Sequence, residues 1–318
     1  MKRIIVTGAT GQIGSELVQA LRDIYGADNV IAAGHRKKPS KELLDPGPFI
    51  TLDVRDGAAF NDALERFSID TVFHLASLLS FIAEGNPHLA WEVNMGGLTN
   101  ALEAARKYGC AIFFPSSIGA FGPTTPHDDT PQDTIQRPDT MYGITKVTGE
   151  LLCDYYYRKY KLDARGLRYP GLISYKTEPG GGTTDYAVEI FYSAIRKGAY
   201  SSPLKEGTRL DMMYMPDAIR AAMELMEADP ASLRHRNAFN LTAMNFTPEE
   251  LCREIKRHIP GFEMTYDVDP LRQAIAESWP RHMDDSAARS EWGWMPEYDI
   301  SSMTADMIEK LSKKTGVK

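Results

Sequence analysis

Ser117, Tyr142 and Lys146 are the residues of this 318-residue chain whose types and spacing could move a proton. A tyrosine and a lysine four positions apart share one helical face, so the ammonium can stabilise a phenolate and lower its pKa. In TMYGITK (140–146) the pair falls on an expected first helical turn, because Pro138 and Asp139 just upstream form a helix-start signal. The spacing alone discriminates poorly. The helix expected over 141–160 holds it three times, in Tyr142/Lys146, Tyr155/Lys159 and Tyr157/Lys161. At about 100° per residue Tyr155 points roughly 140° away from Tyr142, and Tyr157, about 60° off, lies roughly 22 Å further along. Only Tyr142 sits at the amino-terminal end, 25 residues after Ser117 at the close of the apolar run AIFFPSS. The later tyrosines read as packing residues with solvated lysines, and a strand-end serine can equally cap a turn.

These side chains need a scaffold, and the chain has the rhythm of one. RIIVT (3–7), NVIAA (29–33), PFITLD (48–53), TVFHLA (71–76), AIFFPSS (111–117) and ARGLRYP (164–170) read as buried parallel strands. Residues 12–25, 57–67, 88–108 and 141–160 carry apolar residues at three and four spacing, as crossover helices do. The expected fold class is α/β, a doubly wound parallel (Rossmann) sheet, followed by a smaller C-terminal α/β substrate domain. After about residue 172 Gly and Pro punctuation (KTEPGGGTTD) sets in, then shorter helices over 184–197, 216–228 and 247–258. The expected domains are 1–172 for a dinucleotide and 173–318 for a substrate, with some segments interleaving.

TGATGQIGSE follows the first strand directly, and its Gly8, Gly11 and Gly14 open the first helix. Gly8 permits a tight turn, Gly11 lets backbone N–H groups approach a pyrophosphate, and Gly14 allows close helix-to-strand packing. A plain strand-turn-helix corner would use similar residues, but it would not need all three at the first βα junction. No Lys-Ser/Thr pair follows, so the loop is not of the Walker type. After strand two, AAGHRKKPS puts Gly34 where a ribose-binding carboxylate is usual and then four basic residues from His35 to Lys38. His35 and Arg36 suit a ribose 2′-phosphate, or are simply a solvated loop. Asp53 after strand three could meet the adenine edge or cap the next helix.

Totals exclude other classes. A net charge of −7 and a pI of about 5.6 offer no broad positive surface for nucleic acid. Cys110, Cys153 and Cys252 make no C-x-x-C pair, and the seven histidines show no metal-ligand spacing. No metal site, no membrane span and a reducing, cytoplasmic location are the expectations.

With these motifs in place, the chain resembles the extended short-chain dehydrogenase/reductase superfamily, whose Ser/Thr, Tyr and Lys correspond to Ser117, Tyr142 and Lys146. More narrowly it resembles the short-chain L-threonine 3-dehydrogenase family. The residues that carry this are SIGAFGP (117–123), RPDTMYGITK (137–146), LRYPGLIS (167–174), PGGGTTDYAVEIF (179–191), MMYMPDA (212–218), FTPEEL (246–251) and DPLRQAIAESWP (269–280). The resemblance implies oxidation of the Cβ hydroxyl of L-threonine to 2-amino-3-ketobutyrate, with NAD as hydride acceptor, Tyr142 as base, Ser117 orienting the hydroxyl and Lys146 holding the ribose. It implies nucleotide contacts from Gly8, Gly11, Gln12, Ile13, Gly14, His35, Arg36, Asp53, Val54, Leu75, Ala76, Tyr142, Lys146, Tyr169, Pro170 and Leu172. Leu78, Ser80, Ser117, Tyr142, Gly182, Thr184 and Trp279 would meet the substrate, and the Gly180–Gly182 run would close over it. Helices 88–108 and 141–160 would pair with a second copy in a homodimer.

Departures from the family pattern are specific. Gly34 replaces a customary acidic residue, so NADP stands beside the favoured NAD. Ser117 replaces a frequent threonine, and Asp211 replaces an expected proline. The alternatives to a threonine dehydrogenase are a sugar-nucleotide epimerase or dehydratase on the same cofactor domain, and a dinucleotide-sensing protein without turnover.

Overall fold

Runs of Ile, Val and Ala without polar alternation fit strands covered on both faces, and the computed structural model, which describes residues 1–178 and 182–316, has them there. The strands are β1 (Ile4–Thr7), β2 (Val30–Gly34), β3 (Phe49–Thr51), β4 (Thr71–His74), β5 (Ala111–Ser117), β6 (Ala164–Tyr169), β7 (Gly171–Ile173), β8 (Ala199–Ser202), β9 (Leu210–Tyr214), β10 (Phe239–Asn240), β11 (Met244–Phe246) and β12 (Glu263–Tyr266). Seven of them form one sheet in the order β10-β6-β5-β4-β1-β2-β3, and the β1–β2, β2–β3, β1–β4 and β4–β5 ladders are parallel. The order reverses between β1 and β4, the switch point at whose carboxyl edge a doubly wound sheet takes its ligand.

The helices are α1 (Gln12–Tyr25), α2 (Lys41–Leu44), α3 (Gly57–Arg66), α4 (Ser80–Gly85), α5 (Pro87–Trp91), α6 (Gly97–Tyr108), α7 (Met141–Tyr160), α8 (Tyr186–Lys197), α9 (Met215–Glu227), α10 (Pro248–His258), α11 (Pro270–Ser278), α12 (Ser286–Trp292) and α13 (Ile300–Thr315). Local chemistry sets their ends. Thr140 caps α7 by accepting the Gly143 N–H at 3.1 Å. Asp56 caps α3 by accepting from Ala58 and Ala59, both at 3.0 Å. The helix expected over 88–108 is interrupted: α5 and α6 are joined by a π-helical turn, Glu92–Gly96. Apolar periodicity cannot show such an inserted residue, because the helix continues beyond it with only its phase changed. Helices α2, α4, α11, α12 and α13 also lie outside the segments expected to be helical.

By internal contacts the chain divides into two compact units, one of Met1–Ala120, Pro138–Arg168 and Ile219–Phe239, the other of Phe121–Arg137, Tyr169–Ala218 and Asn240–Lys318. In the first, Ile5, Val72, Ile112, Leu98 and Cys153 belong to a core between sheet and helices. In the second, Tyr186, Phe191, Tyr214, Met307 and Leu311 gather α8, β9 and α13. All three cysteines are buried thiols. Among the described residues no helix is long and apolar enough to cross a membrane.

The packing around Asp211 explains a carboxylate at this position. It lies on β9 opposite Asn245 of β11 and is 0% exposed. Its carboxylate accepts the Met283 N–H at 2.6 Å and the Asn245 amide at 2.8 Å, and pairs with His282 Nδ1 at 3.0 Å. The residue in place of proline thus fastens segment 281–283, which follows Trp279, to the small sheet.

Candidate active site

Ser117 ends β5, and the N–H of Gly119 in the following 3₁₀ turn (Ile118–Ala120) donates to its Oγ at 3.1 Å. That occupies the oxygen as acceptor and leaves the hydroxyl proton for Tyr142, whose phenol it hydrogen-bonds. Tyr142 is the second residue of α7. It comes this close because the next residue is glycine: a Cβ on Gly143 would lie 2.3 Å from the Gly119 carbonyl oxygen, so only glycine lets α7 dock on the β5 exit turn. Burial pushes the Tyr142 phenol up to about 12, and the Ser117 hydrogen bond opposes that shift.

Lys146, one turn on, is buried, donates to the Pro115 carbonyl at 2.7 Å and stands 5.3 Å from the centroid of the Tyr142 ring. Burial pulls its ammonium down to about 8, and the charge of Glu150 works against this. Glu150 is itself held by Arg168 at 3.0 and 2.8 Å and by the Ser116 hydroxyl. The direct lysine-to-phenol bond occurs elsewhere: Lys159 donates to Tyr155 at 2.7 Å and lowers its pKa, but Tyr155 is a surface residue rather than a packing one. Lys161 stands 5.9 Å over the Tyr157 ring.

The glycine loop packs against the exit of β4. Gly8 has φ +68°, and a Cβ there would lie 2.7 Å from Ala76 N and 2.8 Å from the Leu75 carbonyl carbon. No larger residue fits either constraint. Gly11 is the N-cap of the 14-residue α1, with no side-chain capping bond and no acidic residue in the first turn. The amides of Gln12, Ile13 and Gly14 therefore stand at a helix amino terminus without side-chain competition, which fits a dinucleotide pyrophosphate.

The remaining expected positions fall as follows. His35 and Arg36 are exposed just after β2. Asp53 accepts from Arg55 at 2.6 Å and has His35 Nε2 at 3.8 Å; the Arg55 bond holds its carboxyl down to about 2. Its capping alternative fails, since Asp56 caps α3. Val54 is buried, while Leu75 and Ala76 are half-buried. Tyr169 is buried and donates to the Ala218 carbonyl at 2.7 Å; Pro170 is buried beside it, and Leu172 is half-buried in β7. Ser80 opens α4 and is half-buried. In the second unit, the Gly182 N–H donates to the Asp185 carboxylate at 2.7 Å, Thr184 is half-buried in the 3₁₀ turn Thr183–Asp185, and Trp279 is 8% exposed at the end of α11. Gly180, Gly181 and the closure expected of them lie outside the described residues.

Two residues that the sequence did not single out belong to this site. Asn94, in the π turn, accepts the Leu78 N–H at 2.7 Å and donates to the Leu78 carbonyl at 3.1 Å and to Thr145 Oγ1 at 3.2 Å. Thr145 in turn donates to the Tyr142 carbonyl at 2.8 Å, so one amide ties the Leu78 loop to the turn that carries Tyr142. The other is His74, the last residue of β4 and fully buried. An asparagine in an amphipathic stretch and a histidine in a β-branched run give no distinct signal.

The family profile described as the NAD dependent epimerase/dehydratase family matches residues 4–241. The chain is 55% identical to an uncharacterised epimerase/dehydratase of Staphylococcus haemolyticus over 99% of both chains. Among solved structures it is similar to the L-threonine dehydrogenase of Clostridium difficile, with 55% identity, a TM-score of 0.98 and coverage of 100% of this chain and 99% of that one. A monomeric L-threonine 3-dehydrogenase from a metagenome is 47% identical with a TM-score of 0.92, covering 98% and 99%. By the profile match over residues 4–241, its doubly wound sheet and its glycine loop, the chain belongs to the NAD dependent epimerase/dehydratase family.

Proposed function

We propose that this protein is an NAD-dependent L-threonine 3-dehydrogenase that oxidises the Cβ hydroxyl to give 2-amino-3-ketobutyrate. The observation that carries the reading is the half-buried Tyr142 phenol, hydrogen-bonded by Ser117 with Lys146 one helical turn away. The amides of Gln12, Ile13 and Gly14 would hold the pyrophosphate beside Gly8 and Gly11, whose turn is closed by the Gly11 N–H donating to the Gly8 carbonyl at 2.9 Å, with His35, Arg36, Asp53 and Val54 around the adenosine. Leu75, Ala76, Tyr169, Pro170 and Leu172 would flank the nicotinamide end. NAD, when bound, accepts the hydride released from Cβ. Tyr142 removes the hydroxyl proton as general base, Ser117 orients that hydroxyl, and the Lys146 ammonium favours the phenolate while holding the ribose. The zwitterion's charges need partners once water is excluded, and Ser80, Gly182 and Thr184 are proposed for them, with Leu78 and Trp279 around the methyl group.

The test is coenzyme reduction with L-threonine or UDP-glucose, each with NAD and NADP. Threonine-dependent reduction with NAD preferred is the expected result. Turnover of UDP-glucose instead would establish the epimerase alternative, and an NADP preference would assign His35 and Arg36 to a 2′-phosphate.

A homodimer is also proposed, on the faces of α5 to α7, where Trp91, Ile144, Leu151 and Tyr155 are 47%, 41%, 58% and 44% exposed. Sedimentation equilibrium should give twice the 35.5 kDa chain mass. The chain mass itself, as the name of the monomeric metagenomic relative would suggest, would refute the dimer.

A further inference from the structure

Helix α4 has little of its own to hold it. It is six residues long, and among the described residues its N-cap Leu79 makes no side-chain capping bond and Ala83 alone in α4 is buried. Leu79, Phe81 and Ile82 stand 55%, 71% and 54% exposed, so apolar burial contributes little. Helices this short are marginal without tertiary support. Asn94 and Glu84 supply support, and both reach the first turns of α7. On the amino-terminal side, Asn94 holds both polar groups of the Leu78 backbone and donates to Thr145 Oγ1. On the carboxyl-terminal side, Glu84 Oε1 accepts the Met141 N–H at 2.5 Å. Met141 opens α7 and directly precedes Tyr142. Its N–H is one of those that a helix start leaves without an intrahelical partner, since Thr140 caps that of Gly143 instead, and the helix dipole favours a carboxylate there.

We infer that Glu84 is a positioning residue: its carboxylate latches α4 to the turn that carries Tyr142, so that Leu78 and Ser80 keep a fixed place relative to the phenol. Held by Asn94 alone, α4 would be free to pivot about Leu78, and the second attachment beyond Ser80 removes that freedom. The reach of the side chain is what counts. A residue one methylene shorter leaves the Met141 N–H unserved, whereas an amide of the same length still presents an oxygen acceptor to it. Groups ordered before substrate arrives need not be ordered by it, so the latch acts on substrate affinity more than on proton transfer. The effect on threonine rests on the proposed function; the anchoring of α4 does not.

Amide hydrogen exchange and steady-state kinetics of Glu84→Ala, Glu84→Gln and Glu84→Asp in the full chain test the latch. Glu84 is exposed, so these changes leave the core intact and Tm should stay within about 2 °C of the wild type. The amides of Ala83 and Asn86 donate to the carbonyls of Leu79 and Ile82 at 2.9 and 3.0 Å. In Glu84→Ala both should exchange about tenfold faster or more, with the amides of β5 unchanged. KM for L-threonine should rise about tenfold, while kcat and NAD affinity stay within about twofold. Glu84→Gln should bring exchange and KM back to within about threefold of the wild type, and Glu84→Asp should behave as Glu84→Ala. Unchanged exchange of Ala83 and Asn86 in Glu84→Ala overturns the latch whatever the activity. Faster exchange in that variant of a protein inactive on threonine overturns the proposed function and leaves the latch standing. Faster exchange with an unchanged KM removes the positioning role, and so does a fall in kcat and Tm together, which a merely structural residue would give.

Discussion

Tyr142→Phe is expected to lower threonine-dependent coenzyme reduction by about 10³-fold or more, the upper part of the range for a positioned general base and about 4 kcal/mol of transition-state stabilisation. The substitution removes one oxygen of a half-buried side chain and leaves the ring in place beside the β5 exit turn. Coenzyme affinity, read by quenching of intrinsic fluorescence, should stay within a few fold. The pH dependence makes the prediction sharper. With the phenol up at about 12 in the free chain, only a small ionised fraction exists at neutral pH, and it grows tenfold per pH unit. The wild-type log kcat/KM should therefore rise with pH with unit slope on its acid side, while the residual rate of Tyr142→Phe should be flat. A variant that keeps a tenth of the wild-type rate, or the same slope, would show that another group takes the proton.

Asp211→Ala is expected to destabilise the chain by roughly 3 kcal/mol or more. The substitution strips the acceptor from the Met283 N–H and the Asn245 amide and removes the partner of His282, and each hydrogen bond to a charged group contributes about 1.5–3 kcal/mol. Part of the loss should depend on pH. The His282 pKa is raised, first by the Asp211 hydrogen bond and then by the charges of Asp211, Asp129 and Asp285, against partial burial. A histidine raised above its unfolded value of about 6.5 contributes fully below that pH and loses its contribution as pH rises through the folded pKa. The gap between wild type and Asp211→Ala in urea titrations should thus be larger at pH 6 than at pH 9. A gap below about 1 kcal/mol at both pH values would contradict the anchoring role. An equal, large gap would leave the backbone anchor and remove the histidine from it.

How much of this was legible depended on whether the chemistry repeats along the chain. The α7 boundaries, 141 and 160, match the expectation because Pro138 and Asp139 announce the start and the periodicity holds to the end. The glycine loop was readable for the same reason: its spacing is a backbone requirement, which Gly8 meets with φ +68° against the Leu75–Ala76 backbone. Asn94 was invisible because its role comes from a π turn, which leaves no trace in hydrophobic periodicity. His74 was hidden because a polar residue in a buried strand is informative only once its neighbours are known, and Thr7 and Lys146 come from other strands and helices. Asp211 looked anomalous in sequence because its partners, Asn245, His282 and Met283, lie 34, 71 and 72 residues away. The Tyr/Lys pairs teach a related caution: the direct lysine-to-phenol bond belongs to the exposed Tyr155, while burial and Ser117 govern Tyr142.

The central claim is that hydride leaves Cβ of threonine as Tyr142 takes the hydroxyl proton. L-threonine deuterated at C3, incubated with the protein and NAD, tests it most directly. The predicted result is reduced coenzyme carrying the deuterium, formed one for one with 2-amino-3-ketobutyrate and absent with Tyr142→Phe. No coenzyme reduction, or reduced coenzyme without the label, would contradict it.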